Sequence, residues 1–256
     1  MTIFSFGDKI FKMVKNYLKD LIGLFYPGYC LLDGKKLEKR DEVGLCQSCF
    51  EEIKLISPPL CSKCGYSVYT SYEVEGNNSN FICPSCLRRH NYFRFMRSAC
   101  LYDGVIKRCI HLFKYKKKLA LRKPFALLLY KTFSQYLAKD YDFIAAVPLH
   151  PFKEFSREFN QAEVLAKDLA QNSGIKYLKN TLKRTKNTKS QTTLSSKQRK
   201  MNVKGNFVVS KPRIIKGKGM LLIDDVATTL STVNECVKIL LSSEVKFVDV
   251  LTLARG

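Results

Sequence analysis

Three C-x-x-C pairs fall between residues 46 and 86: Cys46 with Cys49, Cys61 with Cys64, and Cys83 with Cys86. Thiols at this spacing lie on one side of a tight turn and supply two corners of a tetrahedral zinc site. Eighteen residues separate Cys64 from Cys83, the span of a zinc ribbon, so Cys61, Cys64, Cys83 and Cys86 are expected to hold one structural zinc. Cys46 and Cys49 need two more ligands upstream. The segment Cys30-Leu-Leu-Asp33-Gly34 offers one thiol and one carboxylate. Carboxylate oxygen ligates zinc at about 2.0–2.2 Å but is a harder donor than thiolate. Three readings stay open: a zinc held by Cys30, Asp33, Cys46 and Cys49, a degenerate site without metal, or a crossed arrangement sharing knuckles between sites. A redox pair is not expected, because no strand–helix pattern surrounds any of them.

Residues 1–25 place apolar side chains at Ile10, Phe11, Val14, Leu18, Leu21, Ile22 and Phe25, a three-and-four spacing that predicts an amphipathic helix. It is expected to pack on the rest of the protein, with a membrane surface or a partner as the alternative. Lys9, Lys12, Lys15 and Lys19 break the run a signal peptide needs. A reducing, cytoplasmic location is therefore expected, with the cysteines as thiols or metal ligands. No uncharged apolar stretch approaches eighteen residues, which argues against a transmembrane segment.

The chain has 256 residues, and its 44 basic against 22 acidic side chains leave a formal charge of +22. Residues 26–90 balance eight of each sign, whereas residues 91–256 carry 32 basic and 12 acidic groups. The surplus favours anionic partners such as nucleic acid or phosphorylated metabolites, on the second part and not on the cysteine module. Two basic runs contain no acid, 105–131 and 176–218. Lys114, Lys116 and Lys117 in the first, beside Tyr115, and Lys186 and Lys189 in the second are expected to contact single-stranded DNA. Between them the pattern alternates. Strands are expected over 98–102, 143–147, 176–183, 205–210, 220–223 and 247–253, and helices over 105–118, 124–139, 158–172 and 231–243. That order predicts an α/β fold, a parallel sheet with helices on both faces. The organisation expected is an N-terminal helix (1–25), a double zinc-ribbon module (26–90) and an α/β domain (91–256).

Residues 220–232, Met-Leu-Leu-Ile-Asp224-Asp225-Val-Ala-Thr228-Thr229-Leu230-Ser231-Thr232, read as an apolar strand running into two carboxylates, a hydroxyl-rich turn and a helix start. Free backbone N–H groups and the positive dipole end there suit a phosphate. The two acids can hold sugar hydroxyls, directly or through a metal. One segment thus offers both ends of a ribose phosphate.

This segment resembles the motif with which type I phosphoribosyltransferases bind phosphoribosyl pyrophosphate (PRPP). More narrowly, the chain resembles the ComF family of competence-associated, phosphoribosyltransferase-like proteins along nearly its whole length. The resemblance runs through the paired C-x-x-C module, Leu101-Tyr-Asp-Gly104, Phe113-Lys-Tyr115, Val147-Pro-Leu-His150 and Arg157-Glu-Phe-Asn-Gln161. It continues through Arg184, Thr188, Gln191, Leu194, Arg199, Asn202 and Phe207. It implies a type I phosphoribosyltransferase-like sheet behind a double zinc ribbon. Asp224 and Asp225 would bind ribose hydroxyls. Thr228, Thr229, Leu230, Ser231 and Thr232 would wrap the ribose phosphate. Leu149 and His150 would lie by the pyrophosphate, with magnesium on it. Arg184 would open a flexible loop, 184–199, that closes over the ligand. The family also implies support of DNA uptake in natural transformation, by a phosphoribosyltransferase of unknown acceptor. Its alternative is a weak or inactive accessory that binds single-stranded DNA or a competence helicase. Two positions depart from the family's glycines: Leu230 follows the paired threonines, and Glu158 follows Arg157.

Overall fold

A computed structural model describes residues 28–37, 43–67, 81–137, 140–185 and 205–256. The expectations for residues 1–25 and for Lys186 to Asn202 lie outside the described residues.

Five strands form one parallel sheet: β1 (Met96–Leu101), β2 (Phe143–Ala146), β3 (Lys176–Tyr177), β6 (Gly219–Ala227) and β7 (Phe247–Arg255), in the order β1-β7-β6-β2-β3. The central strands read as near-continuous apolar runs because both sheet faces are covered. Leu221, Ile223, Leu251 and Leu253 meet Ile110 and Phe113 of helix Gly104–Tyr115, Phe125 and Leu129 of helix Arg122–Tyr136, and Leu165 and Leu169 of helix Gln161–Ser173. Met220, Leu222, Val248 and Val250 meet Val233, Cys236, Val237 and Leu240 of helix Ser231–Ser242. The α/β class with helices on both faces is therefore as expected.

Two expected strands differ. Residues 176–183 do not run straight. Asn180 takes φ 56°, a left-handed turn that asparagine tolerates, and splits the segment. Its second half, β4 (Leu182–Arg184), pairs antiparallel with β5 (Phe207–Val209) in a separate ribbon. The acid-bearing strand also runs on to Ala227, so Asp224 and Asp225 sit within β6.

The cysteine module packs on the edge of this sheet. Chain segment 54–56 runs antiparallel along β1, with the Ile56 N–H donating to the Ala99 carbonyl (3.0 Å) and Leu101 N–H to the Lys54 carbonyl (2.9 Å). This covers a row of backbone groups that would otherwise be an open edge. The two cysteine groups then belong to opposite faces: Cys30, Cys46 and Cys49 join the core with Ile110 and Phe113, while Cys61, Cys64 and Cys83 join that with Met220 and Val233.

Candidate functional site

The module is the same unit built twice. Gly34 N–H donates to the Cys30 carbonyl at 3.0 Å, as Gly65 does to Cys61 at 2.9 Å, and both glycines have positive φ, 72° and 63°. Bridges Tyr29–Lys36 and Leu60–Ser67 flank the two knuckles. Cys46 and Cys83 each cap a five-residue helix, Gln47–Glu51 and Pro84–Arg88. Gly65 has a second constraint: a Cβ there would stand 2.6 Å from the Met96 carbonyl, so the knuckle can dock on β1 only without a side chain.

Asp33 therefore occupies the place that Cys64 holds in the second unit. The ligand atoms of Cys61, Cys64, Cys83 and Cys86 lie within 4.8 Å of one another, as do those of Cys30, Asp33, Cys46 and Cys49. Thiolates at about 2.3 Å from zinc stand about 3.8 Å apart in a tetrahedron, and an oxygen and a sulfur about 3.6 Å. Cys64 and Cys83 sulfurs are 3.8 Å apart, and Asp33 Oδ2 lies 3.5 Å from Cys46 Sγ. The Cys30 thiol and the Lys35 N–H hold the Asp33 carboxyl down at about 2, so it is ionised and able to ligate. Both donor sets fit structural zinc, and the knuckles are grouped in chain order and not crossed.

The second site lies at the carboxyl end of β6, where an open parallel sheet presents its ligand crevice. Asp224, Asp225, Thr232, Leu149 and Arg184 line a cavity of about 170 Å³ with Lys114, Arg157, Asn160 and Gln161. Asp224 Oδ1 accepts from Asp225 N–H (2.8 Å) and Asp225 Oδ1 from Val226 N–H (2.7 Å). Burial, then the charge of Asp225, pushes the Asp224 carboxyl up to about 8. Thr228, Thr229, Leu230 and Ser231 form the turn into the helix. Thr229 Oγ1 donates to Ser231 Oγ at 3.2 Å, and Asn234 N–H donates to the Leu230 carbonyl at 2.8 Å. Arg255 supports the turn from β7 by donating to the carbonyls of Ala227 (3.0 Å) and Thr228 (2.5 Å).

His150 is not brought to the acid pair. It caps helix Pro151–Arg157, with Nδ1 accepting from Phe152 N–H at 3.2 Å. It lines a separate cavity of about 550 Å³ that shares Pro148, Leu149, Asn160 and Arg184 with the first. Arg184 does not belong to an open loop. It is buried in β4, with its guanidinium 5.5 Å from the Phe207 ring centre. Asn160 pins the 147–150 turn: its side chain donates to the Val147 carbonyl (3.0 Å) and accepts from Ala162 N–H (3.1 Å) as the cap of helix Gln161–Ser173.

Lys114, expected with Lys116 and Lys117 to contact single-stranded DNA, instead turns onto the acid pair. Its Nζ lies 2.5 Å from Asp225 Oδ2, with side-chain exposures of 17% and 14%. Burial opposes the ammonium charge, and the two aspartates outweigh it, so its pKa stands above the usual lysine value. The signal was present in the helix phase. Ile106, Ile110 and Phe113 form the buried stripe, and Lys114 follows Ile110 by four residues.

The two missing glycines have a common physical meaning. Leu230 takes φ 62° and Glu158 φ 67°, both left-handed. The turns keep the glycine conformation with a side chain forced into it, at a cost of about 1–2 kcal/mol each. Glu158, expected to open a helix over 158–172, ends helix Pro151–Arg157, and its carboxylate is paired with Lys117. Glu158→Gly should raise stability by about 1 kcal/mol, or about 2–4 °C in Tm, because the exposed ion pair it removes is worth little. Glu158→Ala should give no gain. Thermal melts of the two variants check this, and an equal gain from alanine would remove the strain argument. Leu230→Gly trades the same relief against lost packing of a partly buried side chain, so the two effects nearly cancel.

A double zinc ribbon domain model matches residues 21–87. Competence protein F of Haemophilus influenzae is 33% identical over 219 residues, 83% of this chain and 91% of that protein. The chain belongs to the ComF family. Competence protein ComFC of Streptococcus pneumoniae is 25% identical over 237 residues (88% of this chain, 99% of that one), and the DNA utilization protein YhgH of Escherichia coli K12 is 27% identical over 239 (91% and 99%). Among solved structures, a hypoxanthine phosphoribosyltransferase from Staphylococcus aureus aligns at a TM-score of 0.36 and 16% identity, over 53% of this chain and 65% of that one. The ComF chain joins a double zinc ribbon to a five-stranded parallel α/β sheet. Among the described residues, no helix is long and apolar enough to cross a membrane.

Proposed function

We propose that this ComF-family protein binds PRPP at the carboxyl end of β6 and serves in the handling of DNA during natural transformation. The observation that carries the reading is one continuous segment. Asp224 and Asp225 face a cavity ringed by Lys114, Arg157 and Arg184, and the chain passes from them through a hydroxyl turn into the N-terminus of a twelve-residue helix. Carboxylates accept from sugar hydroxyls, the turn and helix end donate to a phosphate, and the cations face the pyrophosphate. Asp224 and Asp225 are the oxygen donors that would hold magnesium, which would supply charge neutralisation for the pyrophosphate. The acceptor of any ribosyl transfer is not specified by these residues. Isothermal titration of the zinc-loaded protein with PRPP and magnesium tests the reading, and no binding heat at saturating ligand would end it.

A second reading, single-stranded DNA binding, is favoured by exposed aromatics on the basic domain. Phe152 is 66% exposed and Phe155 86%, on the short helix that follows His150. Tyr115 is also exposed, beside Lys116 and Lys118. Bases stack on such rings at about 1–3 kcal/mol each, and lysines track the phosphates. Binding is expected to fall with salt at a log–log slope of about −0.7 per phosphate contacted. Lys116→Glu with Lys118→Glu should flatten that slope, and Phe152→Ala with Phe155→Ala should weaken binding without changing it. Variants indistinguishable from wild type in a salt-dependent fluorescence titration would remove this surface from consideration.

A further inference from the structure

We propose that Lys114 is a built-in counter-ion that keeps bare divalent metal off the Asp224–Asp225 pair, so that metal enters only together with a sugar polyphosphate. The inference rests on the reading of this cavity as a PRPP site and adds a rule for what the cavity admits.

Three features support it. The Lys114 ammonium is 2.5 Å from Asp225 and both side chains are mostly covered, so the cation already stands where a metal on Asp225 would have to lie. The Lys114 backbone is fixed in the last turn of helix Gly104–Tyr115, directly after the fully buried Phe113, so the side chain starts from the cavity wall. A cation is also favoured at that helix end by the dipole. Finally, Arg157 and Arg184 line the same space of about 170 Å³. Two acidic side chains therefore face three cationic ones. A bare divalent ion adds two positive charges to a cavity in which cations already outnumber acids, and it competes with Lys114 for Asp225. A metal carried on a polyphosphate brings excess negative charge, which Lys114, Arg157 and Arg184 can all meet. Charge balance alone selects the complex over the free ion.

The test uses the full-length, zinc-loaded protein and manganese, followed by the paramagnetic signal of the free ion. Lys114→Met removes the charge and keeps the length of the side chain. Wild type is expected to bind manganese no better than Asp224→Asn/Asp225→Asn. Lys114→Met is expected to gain one manganese at least about tenfold tighter than wild type, and to lose it when both aspartates are also changed. PRPP should bring manganese onto the wild type. Equal manganese affinity in wild type and Lys114→Met, with PRPP still bound, overturns the counter-ion inference alone. PRPP that fails to recruit manganese to the wild type, while Lys114→Met binds the bare ion, overturns the PRPP reading and joint entry with it. If Lys114→Met does not fold, the wild type decides by itself: manganese bound at the aspartates without PRPP refutes the inference, and parity with the double asparagine variant upholds it.

Discussion

Asp224→Asn combined with Asp225→Asn is expected to weaken PRPP binding by at least about 100-fold while leaving the fold intact. Asp225 offers charge-assisted hydrogen bonds worth about 1.5–3 kcal/mol, and the buried Asp224 acid adds hydrogen bonds that asparagine matches in shape but not in chemistry. The pair is held ready by its own backbone, through the N–H groups of Asp225 and Val226, so substitution does not reach the core beneath. Titration calorimetry reads the affinity, and an unchanged value would move the site elsewhere. A stability signature accompanies it. The Asp224 carboxyl stands at about 8 in the folded protein against an ordinary 3.8. Between those values the unfolded chain ionises and the folded one keeps its proton, so wild-type stability falls as pH rises through that window. Asp224→Asn has no such proton, and its stability should change less between pH 4 and 8. The buried acid is then a cost carried for binding, in keeping with the trade between stability and function.

Removing zinc is expected to have the largest effect on the fold. Structural zinc in small modules contributes about 10–16 kcal/mol of apparent binding free energy. Here the second knuckle set is also part of the main core: Cys61, Cys64 and Cys83 are buried among residues that include Met96 and Val233. Cys61→Ser should therefore lower Tm by more than about 10 °C, at roughly 2–4 °C per kcal/mol. Elemental analysis of protein purified without added metal should find about two zinc equivalents. Asp33→Ala should fall toward one, and Asp33→Cys should keep two and hold the second more tightly, since thiolate is the softer donor. Less than half an equivalent in well-folded wild type would refute both sites.

Wherever the chemistry is local in the chain, the sequence was enough. Paired cysteines three apart form a knuckle through a single turn. Acids at the end of an apolar run, followed by threonines and a helix, belong to one continuous segment, so their neighbourhood is written in the chain. The α/β class was legible for the same reason, since apolar periodicity records which faces are covered. What needed the tertiary structure were meetings between segments. Lys114 looked like one of a run of lysines open to a nucleic acid, and only the tertiary structure places it on Asp225. Arg255 supports the phosphate turn from a neighbouring strand, 27 residues after the carbonyl of Thr228. The split at Asn180 and the left-handed Glu158 and Leu230 depend on where each segment must next arrive. Long-range position decides those backbone angles, and no window of local sequence contains it.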